Sequence, residues 1–306
     1  MLRWLIIFFF IPFMASSQSE VKIPTDKGDL EGTYLEGYQK IAVLFIAGSG
    51  PTDRNGNNTF GLKCDAYKLV ADSLIECGYS SLRYDKRVIA TDTNARMREK
   101  DLTFDRLIKD ARFAVDWLIS KGHKQIVILG HSQGSLIGMI AARQTKNIRG
   151  FISISGSSLP VDSLIVRQYR KAGAEILAEE LKIKLDSIKS GHTVKKFNPF
   201  LQSLLRPSVQ PFLMSYMEYD PRAEISKLDI PTLIINGTTD LQTGAENAIA
   251  LHDTAKKSEL VLIEGMNHVL RDAPGERTAN MATYGDPSLP LSKGLMKNIL
   301  EFLNKI

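Results

Sequence analysis

Short apolar segments alternate with longer amphipathic segments along most of this 306-residue chain. The short segments are rich in Ile and Val and are continuous rather than alternating, which is typical of strands buried on both faces of a parallel sheet. Strands are predicted at Ile41–Ile46, Ser80–Tyr84, Gln125–Leu129, Gly150–Ile154, Thr232–Ile235 and Glu259–Ile263. Strand and helix in alternation predict parallel βαβ units, and therefore an α/β fold with a mostly parallel central sheet and helices on both faces.

The longer segments carry apolar residues at helical spacing. Between Phe104 and Ser120 they recur three and four positions apart, and Gly122 follows as a stop, which predicts a helix. Asp65–Glu76 shows the same spacing. Ahead of the first parallel strand, Asp29–Leu35 predicts an antiparallel hairpin at the edge of the sheet.

The pattern changes between residues 160 and 220, where helical segments occur without a convincing strand. An apolar stripe runs from Ile176 to Ile188, and Phe212–Tyr219 is a further helical segment. Asn198-Pro199 predicts a helix start, with Asn as the N-cap and Pro in the first turn. We therefore expect a helical cap insertion over the carboxyl-terminal edge of the sheet. The predicted organisation is a core at residues 18–159 and 221–306 with the cap at 160–220.

The first 17 residues have the features of a secretory signal peptide. Arg3 precedes an apolar run at residues 5–14, and Ala15-Ser16-Ser17 supplies small residues for cleavage after Ser17. The run is about half of the roughly twenty residues that span a bilayer. We expect an exported protein, periplasmic or secreted, with no stable membrane span after signal cleavage.

Composition narrows the classes of function. Hydrophobic residues make up 43% and charged residues 24%, which is ordinary for a globular protein. The net charge is +5, but Lys and Arg alternate with Asp and Glu and form no basic tract, so no nucleic-acid partner is expected. Cys64 and Cys77 flank the predicted helix Asp65–Glu76, which would separate them by about 20 Å. A disulfide needs Cα atoms within about 7 Å, so we expect two free, mostly buried thiols.

A G-x-S-x-G pentapeptide, Gly130-His131-Ser132-Gln133-Gly134, lies between the strand Gln125–Leu129 and a predicted helix at Ser135–Arg143. The pentapeptide alone is weak, but a strand directly before it and a helix directly after it are what a nucleophile elbow requires. Its two glycines provide the small residues that such a tight turn needs. We predict that Ser132 is a nucleophile held above the sheet at the positive end of a helix.

A serine hydroxyl needs a base, and in this type of site the chain order is serine, acid, histidine. His268 follows the last predicted strand, at the sheet edge where open parallel sheets form their sites. The remaining histidines lie within the elbow, at the opposite end of the sheet, in the cap or in a surface helix: His131, His123, His192 and His252. His268 is therefore the predicted base.

Asp240 follows the strand that ends at Asn236, four residues beyond it, at the same end of the sheet as Ser132 and His268. Asp229 precedes that strand and lies at the other end, and Asp253 falls in a helix. A helix cap is the alternative role for Asp240. We expect Asp240 to orient His268 and to stabilise its protonated form.

The oxyanion hole needs two backbone N–H donors. One is predicted at Gln133, directly after the nucleophile. The other is predicted in the loop Ala47–Pro51 after the first parallel strand, at Ser49 or alternatively Gly50. No Gly-Lys-Ser/Thr, ribose-binding acid, H-E-x-x-H motif or cysteine cluster is present, so we expect neither a cofactor nor a metal.

These motifs together resemble those of bacterial α/β-hydrolase carboxylesterases, often described as carrying a serine-aminopeptidase-like hydrolase domain. The resemblance rests on the elbow, Asn236–Asp240, the His268 loop and Gly48–Gly56. Tyr84-Asp85-Lys86-Arg87 is similar to the group's motif after the next strand, although Val88 replaces its usual Gly. The resemblance covers most of residues 29–158 and 221–306. It implies the α/β-hydrolase fold and hydrolysis of a small-molecule ester through an acyl-enzyme.

Two other functions use the same fold. An exported, aminopeptidase-like serine peptidase would need acidic groups for a substrate ammonium, but the acidic residues of the cap, Glu175, Glu179, Glu180 and Glu218, fit solvated helix faces better. A catalytically inactive binding protein is disfavoured because all three triad positions are filled. Phe212–Met217 is expected either to form an apolar wall for a short to medium acyl group or only to pack the cap onto the core. The sequence carries no feature that assigns an oligomeric state.

Overall fold

The structure, a computed structural model, describes residues 18–306, so the predicted signal peptide lies outside the described residues. Its eight strands are β1 (Gln18–Ile23), β2 (Leu30–Leu35), β3 (Ile41–Ile46), β4 (Ser80–Tyr84), β5 (Gln125–His131), β6 (Ile148–Ile154), β7 (Thr232–Gly237) and β8 (Ser258–Ile263). They form one sheet in the spatial order β1-β2-β4-β3-β5-β6-β7-β8. All six strands predicted from apolar runs are present.

The strands from β3 to β8 are parallel, so their carboxyl ends meet at one edge of the sheet. Strands β1 and β2 form an antiparallel hairpin, and β2 joins the rest of the sheet through a second antiparallel pairing, with β4. The prediction of a mostly parallel sheet is therefore confirmed. Every residue of β3 and of β4 is buried. Burial on both faces explains the unbroken apolar sequence of β3, whereas β4 also buries Ser80, Ser81 and Arg83.

The hairpin at the sheet edge differs from its prediction. Asp29–Leu35 contributes only the inner strand β2, whereas the edge is β1, which residue patterning did not identify. The reason is composition: β1 reads Gln-Ser-Glu-Val-Lys-Ile, and only Ile23 at its end is fully buried. An edge strand with one solvated face needs few apolar residues, and charges there prevent further pairing.

The helices are α1 (Ala66–Glu76), α2 (Phe104–Ser120), α3 (Gln133–Gln144), α4 (Val161–Lys171), α5 (Glu175–Lys189), α6 (Gln202–Leu205), α7 (Gln210–Tyr216), α8 (Pro221–Ile225), α9 (Ala245–Thr254), α10 (Arg277–Ala282) and α11 (Leu295–Lys305). Helices α2, α3 and α9 contribute to the apolar core on one face of the sheet, and α1 and α11 to the core on the other. Helices therefore cover both faces, as predicted. No described helix is long and apolar enough to cross a bilayer.

Between β6 and β7 the chain forms α4 to α8 and no strand, in agreement with the helical pattern. Two boundaries differ from prediction. The Asn198 side chain does cap a helix start, but it begins a single 3₁₀ turn, Pro199–Leu201, followed by the four residues of α6. The helix predicted to reach Tyr219 ends at Tyr216, and α8 then begins at Pro221 behind its Asp220 cap.

Both cysteines are free thiols, as expected. They flank α1, whose rigid length keeps them apart. Cys64 is buried, but Cys77 at the end of the helix is only half-buried, so the expectation of burial holds fully for one of the two.

Candidate active site

Ser132 lies in the sharp turn between β5 and α3. Its backbone has φ 53° and ψ −120°, which L-residues other than glycine rarely adopt. The turn is held from outside because Ser132 N–H donates to the carbonyl of Ile154 on the neighbouring β6, at 2.9 Å. Helix α3 begins at Gln133, two residues earlier than predicted, so Ser132 is its N-cap and lies at the positive end of the helix dipole.

The two glycines of the elbow are required by space. A Cβ on Gly130 would lie 2.3 Å from the carbonyl oxygen of Gly134, and a Cβ on Gly134 would lie 2.1 Å from the carbonyl oxygen of Ile46. Both distances are far inside van der Waals contact and both partners are backbone atoms. Gly130 therefore packs against the turn itself and Gly134 against the end of β3, each so closely that only glycine fits.

Asp240 and His268 meet at the carboxyl-terminal edge of the sheet. His268 Nδ1 lies 2.8 Å from Asp240 Oδ2, and both residues are buried. Because β7 continues to Gly237, Asp240 lies three residues beyond its strand rather than four. Asp240 Oδ1 also accepts hydrogen bonds from the backbone N–H groups of Gln242 and Thr243, at 2.8 and 2.9 Å. Asp240 thus holds the turn that follows it and faces the histidine, whereas the N-cap of the next helix, α9, is Gly244.

The environment keeps the Asp240 carboxylate ionised. Burial by itself raises the pKa of Asp240, but the charge and hydrogen bond of His268, with the N–H groups of Thr243 and Gln242, outweigh it and hold that pKa below its usual range. Thr243 Oγ1 donates to Asp240 Oδ2 at 3.0 Å. A carboxylate with all these donors fixes the His268 tautomer that carries its proton on Nδ1 and leaves Nε2 as the acceptor. No hydrogen bond joins Ser132 Oγ to His268 within residues 18–306.

His131 of the elbow connects two loops of the site. Gly48 N–H donates to the Tyr67 hydroxyl at 3.0 Å, and that hydroxyl lies 2.8 Å from His131 Nδ1. His131 Nε2 lies 2.8 Å from the carbonyl oxygen of His268. The chain of donors has one consistent direction: Gly48 to Tyr67, Tyr67 to His131 and His131 to His268. We call these three hydrogen bonds the Tyr67–His131 relay.

Burial fixes the ionisation of the relay. It lowers the pKa of His131 to about 3, with a smaller contribution from the charge of His268, and it raises the pKa of Tyr67. His131 is therefore a neutral imidazole with its proton on Nε2, facing the carbonyl of His268. His131 is therefore not a second base. The sequence also excludes it as the base, because it lies within the elbow.

The loop after β3 presents the other predicted oxyanion donors. Ser49 N–H and Gly50 N–H have no acceptor within the described part of the chain, and neither does Gln133 N–H at the start of α3. Gly48 N–H is already bound to Tyr67, so it is not available. Ser49, Gly50, Ser132 and Gln133 all line one cavity. The structure thus groups the predicted donors around the same cavity as Ser132 and leaves both Ser49 and Gly50 open as the second donor.

Lys86 is a site residue whose function the sequence did not reveal. It follows β4 within Tyr84-Asp85-Lys86-Arg87, a motif noticed only as a family likeness. Its ammonium is buried and donates to the carbonyl of Gly48, to that of Gly50 at 3.4 Å and to Gln133 Oε1 at 3.2 Å. A signal was nevertheless available in the sequence: Lys86 follows a parallel strand, and Ser132, Asp240 and His268 also lie in loops after parallel strands.

The cavity beside Ser132 has a volume of about 600 Å³. Core and cap both contribute to its wall, which is largely apolar: Leu102, Leu107, Leu136, Leu159, Val161, Leu164, Ile165, Leu204, Val209, Phe212, Leu213 and Tyr216. Of the predicted wall Phe212–Met217, only Phe212, Leu213 and Tyr216 line the cavity. Tyr216 also stacks on Phe104 of α2 at 4.1 Å between ring centroids, so this segment both lines the site and packs the cap onto the core.

The carboxylate of Glu99 is the acidic group on the cavity wall, and it is already paired. It binds the Arg206 guanidinium and the Ser208 hydroxyl. Within residues 18–306 no group of three or more His, Cys, Asp or Glu side chains is arranged to hold a metal ion.

The fold and the arrangement of Ser132, Asp240 and His268 define an α/β hydrolase of the serine type. A family model described as serine aminopeptidase, S33, matches residues 59–272. The chain therefore belongs to this family of serine hydrolases. No curated protein matches the chain.

Solved structures show the same fold. The α/β hydrolase GrgF from Penicillium has a TM-score of 0.62 at 17% identity, covering 94% of this chain and 98% of that one. The Pyrococcus furiosus esterase Pf2001 has a TM-score of 0.61 at 17% identity, covering 95% of this chain and 91% of that one. Est1E from Butyrivibrio proteoclasticus, solved with ferulic acid bound, has a TM-score of 0.59 at 18% identity, covering 93% of this chain and 99% of that one. At these identities the likeness supports the α/β-hydrolase fold.

Proposed function

We propose that this serine hydrolase cleaves carboxylic esters of short to medium acyl groups through an acyl-enzyme on Ser132. The observation that carries the proposal is the buried 2.8 Å contact between Asp240 and His268 beside a strained serine that opens into an apolar cavity. Of the solved structures that share the fold, the Pyrococcus furiosus protein is described as an esterase, and Est1E was solved with ferulic acid bound.

In the first half of the reaction, Ser132 Oγ attacks the ester carbonyl and His268 Nε2 takes its proton. Asp240 stabilises the imidazolium that forms, without itself taking the proton. The carbonyl oxygen becomes an oxyanion, which the N–H groups of Gln133 and of Ser49 or Gly50 stabilise. The tetrahedral intermediate then collapses: the C–O bond to the alcohol breaks, and His268 returns the proton to the departing oxygen.

In the second half, water attacks the acyl-enzyme and His268 removes its proton. The same N–H groups stabilise the second oxyanion. Collapse releases the acid and returns the proton to Ser132 Oγ, so the site is unchanged after one turnover.

The cavity supports an apolar acyl group of limited length. Each buried methylene contributes about 0.8 kcal/mol, or roughly a fourfold change in kcat/KM. A volume of about 600 Å³ accommodates an acyl chain of several carbons or a small aryl acid. Residues of α4 and α7 form the cap side of the cavity wall, so the length of the acyl group is limited there.

The peptidase alternative lacks support at the cavity wall. A substrate ammonium needs an unpaired carboxylate, but Glu99 is engaged by Arg206. The cap carboxylates Glu175 and Glu179 pair with Arg170, and Glu180 accepts from the backbone of Asn198. None of these three lines the cavity. Because the family model is described as serine aminopeptidase, the substrate test includes aminoacyl amides beside esters.

A panel of substrates tests the proposal. We expect hydrolysis of p-nitrophenyl acetate, butyrate and hexanoate to exceed that of the palmitate ester and of aminoacyl p-nitroanilides. A fluorophosphonate should label the protein once, at Ser132. Preference for an aminoacyl anilide would favour the peptidase, and labelling of another serine would contradict the nucleophile assignment.

A further inference from the structure

Lys86 carries a buried ammonium group that no carboxylate within the described chain neutralises. The adjacent Asp85 is bound by Arg54, through both its backbone N–H and its guanidinium. Asp110, the carboxylate nearest on α2, is held by the fully buried Arg87. Burying an ammonium group without a carboxylate costs folding free energy. The hydrogen-bond partners of Lys86 therefore indicate its role.

All three donors of the ammonium are used, and all bind neutral oxygens of the site. They are the carbonyls of Gly48 and Gly50 in the loop after β3, and the side-chain oxygen of Gln133 at the start of α3. With its three N–H groups engaged, protonated Lys86 has no lone pair to act as a base and no donor left for substrate.

The hydrogen bond from Lys86 to the Gly48 carbonyl also determines the direction in which the Ser49 N–H points. In a trans peptide, the C=O of one residue and the N–H of the next point in opposite directions. By holding the Gly48 carbonyl, Lys86 orients the N–H of Ser49 away from itself. The Gly48 N–H on the preceding peptide is held by Tyr67, so the loop is fixed on both sides of Gly48. The Thr52 hydroxyl donates to the Ser49 carbonyl at 2.8 Å and orients the N–H of Gly50 in the same way, so both candidate donors of the loop are held in place.

We propose that Lys86 is a positioning residue for the oxyanion hole, in which one ammonium ties the Gly48–Gly50 loop to Gln133 and so sets the spacing of the two N–H donors. It acts through these groups and does not touch the substrate. When Lys86 is protonated, its positive charge also lies close to the predicted oxyanion donors and adds electrostatic stabilisation at a buried position. The inference rests on the proposed function of the same site.

The proposal predicts a dependence on alkaline pH. Burial lowers the pKa of Lys86 to about 7. As pH rises through that value, the amine keeps two N–H donors and gains a lone pair, so one of its three oxygens loses its hydrogen bond and the loop loosens. Activity therefore falls as pH rises above neutrality. The other titratable or charged groups around Lys86 are His131 in the elbow, Tyr84 on β4, Arg87 with Asp110, Tyr216 on α7 and the Glu99–Arg206 pair across the cavity.

Three variants test the proposal. Lys86→Met removes the charge and all donors at similar length, Lys86→Gln retains two donors at every pH, and Lys40→Met is the matched control at the other end of β3, where the side chain is exposed. We expect kcat for p-nitrophenyl butyrate to fall about 10- to 100-fold in Lys86→Met and less in Lys86→Gln, with KM nearly unchanged, because only the oxyanion is affected. Lys40→Met should match the wild type.

Fluorophosphonate labelling rates and pH profiles separate the possible outcomes. Labelling of Ser132 should slow in the same order as kcat. The fall in activity above neutral pH should be present in the wild type and absent in Lys86→Gln. If Lys86→Met does not fold, the wild type and Lys86→Gln still provide this comparison.

Equal kcat in Lys86→Gln and wild type, or an alkaline fall that persists in Lys86→Gln, would overturn the role of Lys86 and leave the proposed function standing. A wild type that is labelled at Ser132 but hydrolyses no ester would contradict the proposed function, and the labelling rates would then decide the Lys86 question alone.

Discussion

At Ser132 the backbone adopts a conformation that is unfavourable for serine and is maintained by its surroundings. Its N–H is bound to β6, and the glycines on either side leave no room for side chains. Strain of this kind costs on the order of 1–3 kcal/mol and persists only where packing imposes it. The consequence is a hydroxyl presented at the end of the sheet, close to the loops that carry Asp240 and His268.

The triad assignment predicts three separate losses of activity. Ser132→Ala and His268→Ala should each lower kcat about 10⁴-fold or more while the protein stays folded, because each group takes part in every bond change. Asp240→Asn should lower kcat strongly as well, since an amide no longer favours the tautomer with its proton on Nδ1. Steady-state kinetics with p-nitrophenyl butyrate, accompanied by circular dichroism, measures these effects. Near-normal turnover in Asp240→Asn would show that another residue is the acid.

The lowered pKa of buried His131 leads us to expect that the free energy of unfolding depends on pH. Its pKa falls from an ordinary value of 6.5 to about 3 in the folded protein, chiefly through burial. Between these values the unfolded chain binds more protons than the folded one, so this contribution to stability is fully present above pH 6.5 and is lost as pH falls towards 3. Urea unfolding at pH 4.5 and 7 should show a smaller difference in His131→Gln than in the wild type. His192→Gln, an exposed position in the cap, is the control and should behave as the wild type.

At the scale of elements, the site is a meeting point of loops that leave the carboxyl ends of β3, β4, β5, β7 and β8. Parallel pairing brings these ends to one edge, but it does not fix the loops relative to one another. The Tyr67–His131 relay supplies part of that connection, because it joins the β3 loop, the elbow and the His268 loop through buried hydrogen bonds.

Tyr67→Phe should therefore affect both stability and catalysis. It leaves Gly48 N–H and His131 Nδ1 buried without partners, which costs about 1–3 kcal/mol. We also expect kcat to fall about tenfold, because the β3 loop and the His268 loop lose a shared anchor. Tyr79→Phe is the matched control: it removes the hydrogen bond to Asn304 far from the site, so it should lower stability without lowering kcat. Equal kcat in both variants would show that the relay is purely structural.

At the scale of the whole molecule, the cap and the core together form the cavity. Leu164 on α4 and Leu136 on α3 line it from opposite sides of the cap boundary. The cap is attached through apolar contacts in the same core cluster that packs α2 and α3 against the sheet. We therefore expect the preference for acyl length to depend on how cap and core meet rather than on the triad.

Leu164→Trp should shorten the preferred acyl chain. The larger side chain fills part of the cavity, so kcat/KM for hexanoate and longer esters should fall, by roughly fourfold for each methylene excluded, while acetate is little affected. Chain-length profiles with p-nitrophenyl esters measure the change. Ile176→Trp, on the exposed face of α5, adds the same side chain outside the cavity and should leave the profile unchanged. A profile that also stays unchanged in Leu164→Trp would place the acyl group elsewhere.

Export is a further prediction, and it concerns the whole chain. We expect expression in a bacterial host to yield a periplasmic or secreted protein whose first residue is Gln18, because small residues precede it and the apolar run is too short to anchor the chain. Mass spectrometry of the intact protein checks the cleavage position. Phe9→Glu, which interrupts the apolar run, should leave the uncleaved protein inside the cell. An intact first residue on active exported protein would contradict the expectation.

The sequence by itself determined the strands β3 to β8, the helices α1, α2, α3 and α5, and the order of Ser132, Asp240 and His268 along the chain. These features are local: apolar runs, helical spacing and the elbow each depend on residues close together, and parallel pairing then brings the loop residues to one edge. The polar strand β1 and the exact ends of the short cap helices were not predictable, because burial against distant segments decides them.

Tertiary structure alone decided which polar side chains support the site. Tyr67 and His131 are 64 positions apart, and Lys86 is 47 positions from Gln133. No local pattern marks such pairs, because each becomes favourable only when folding removes both partners from water and leaves one geometry in which their hydrogen bonds can form. The same holds for the cavity, whose volume and apolar wall exist only where cap and core meet.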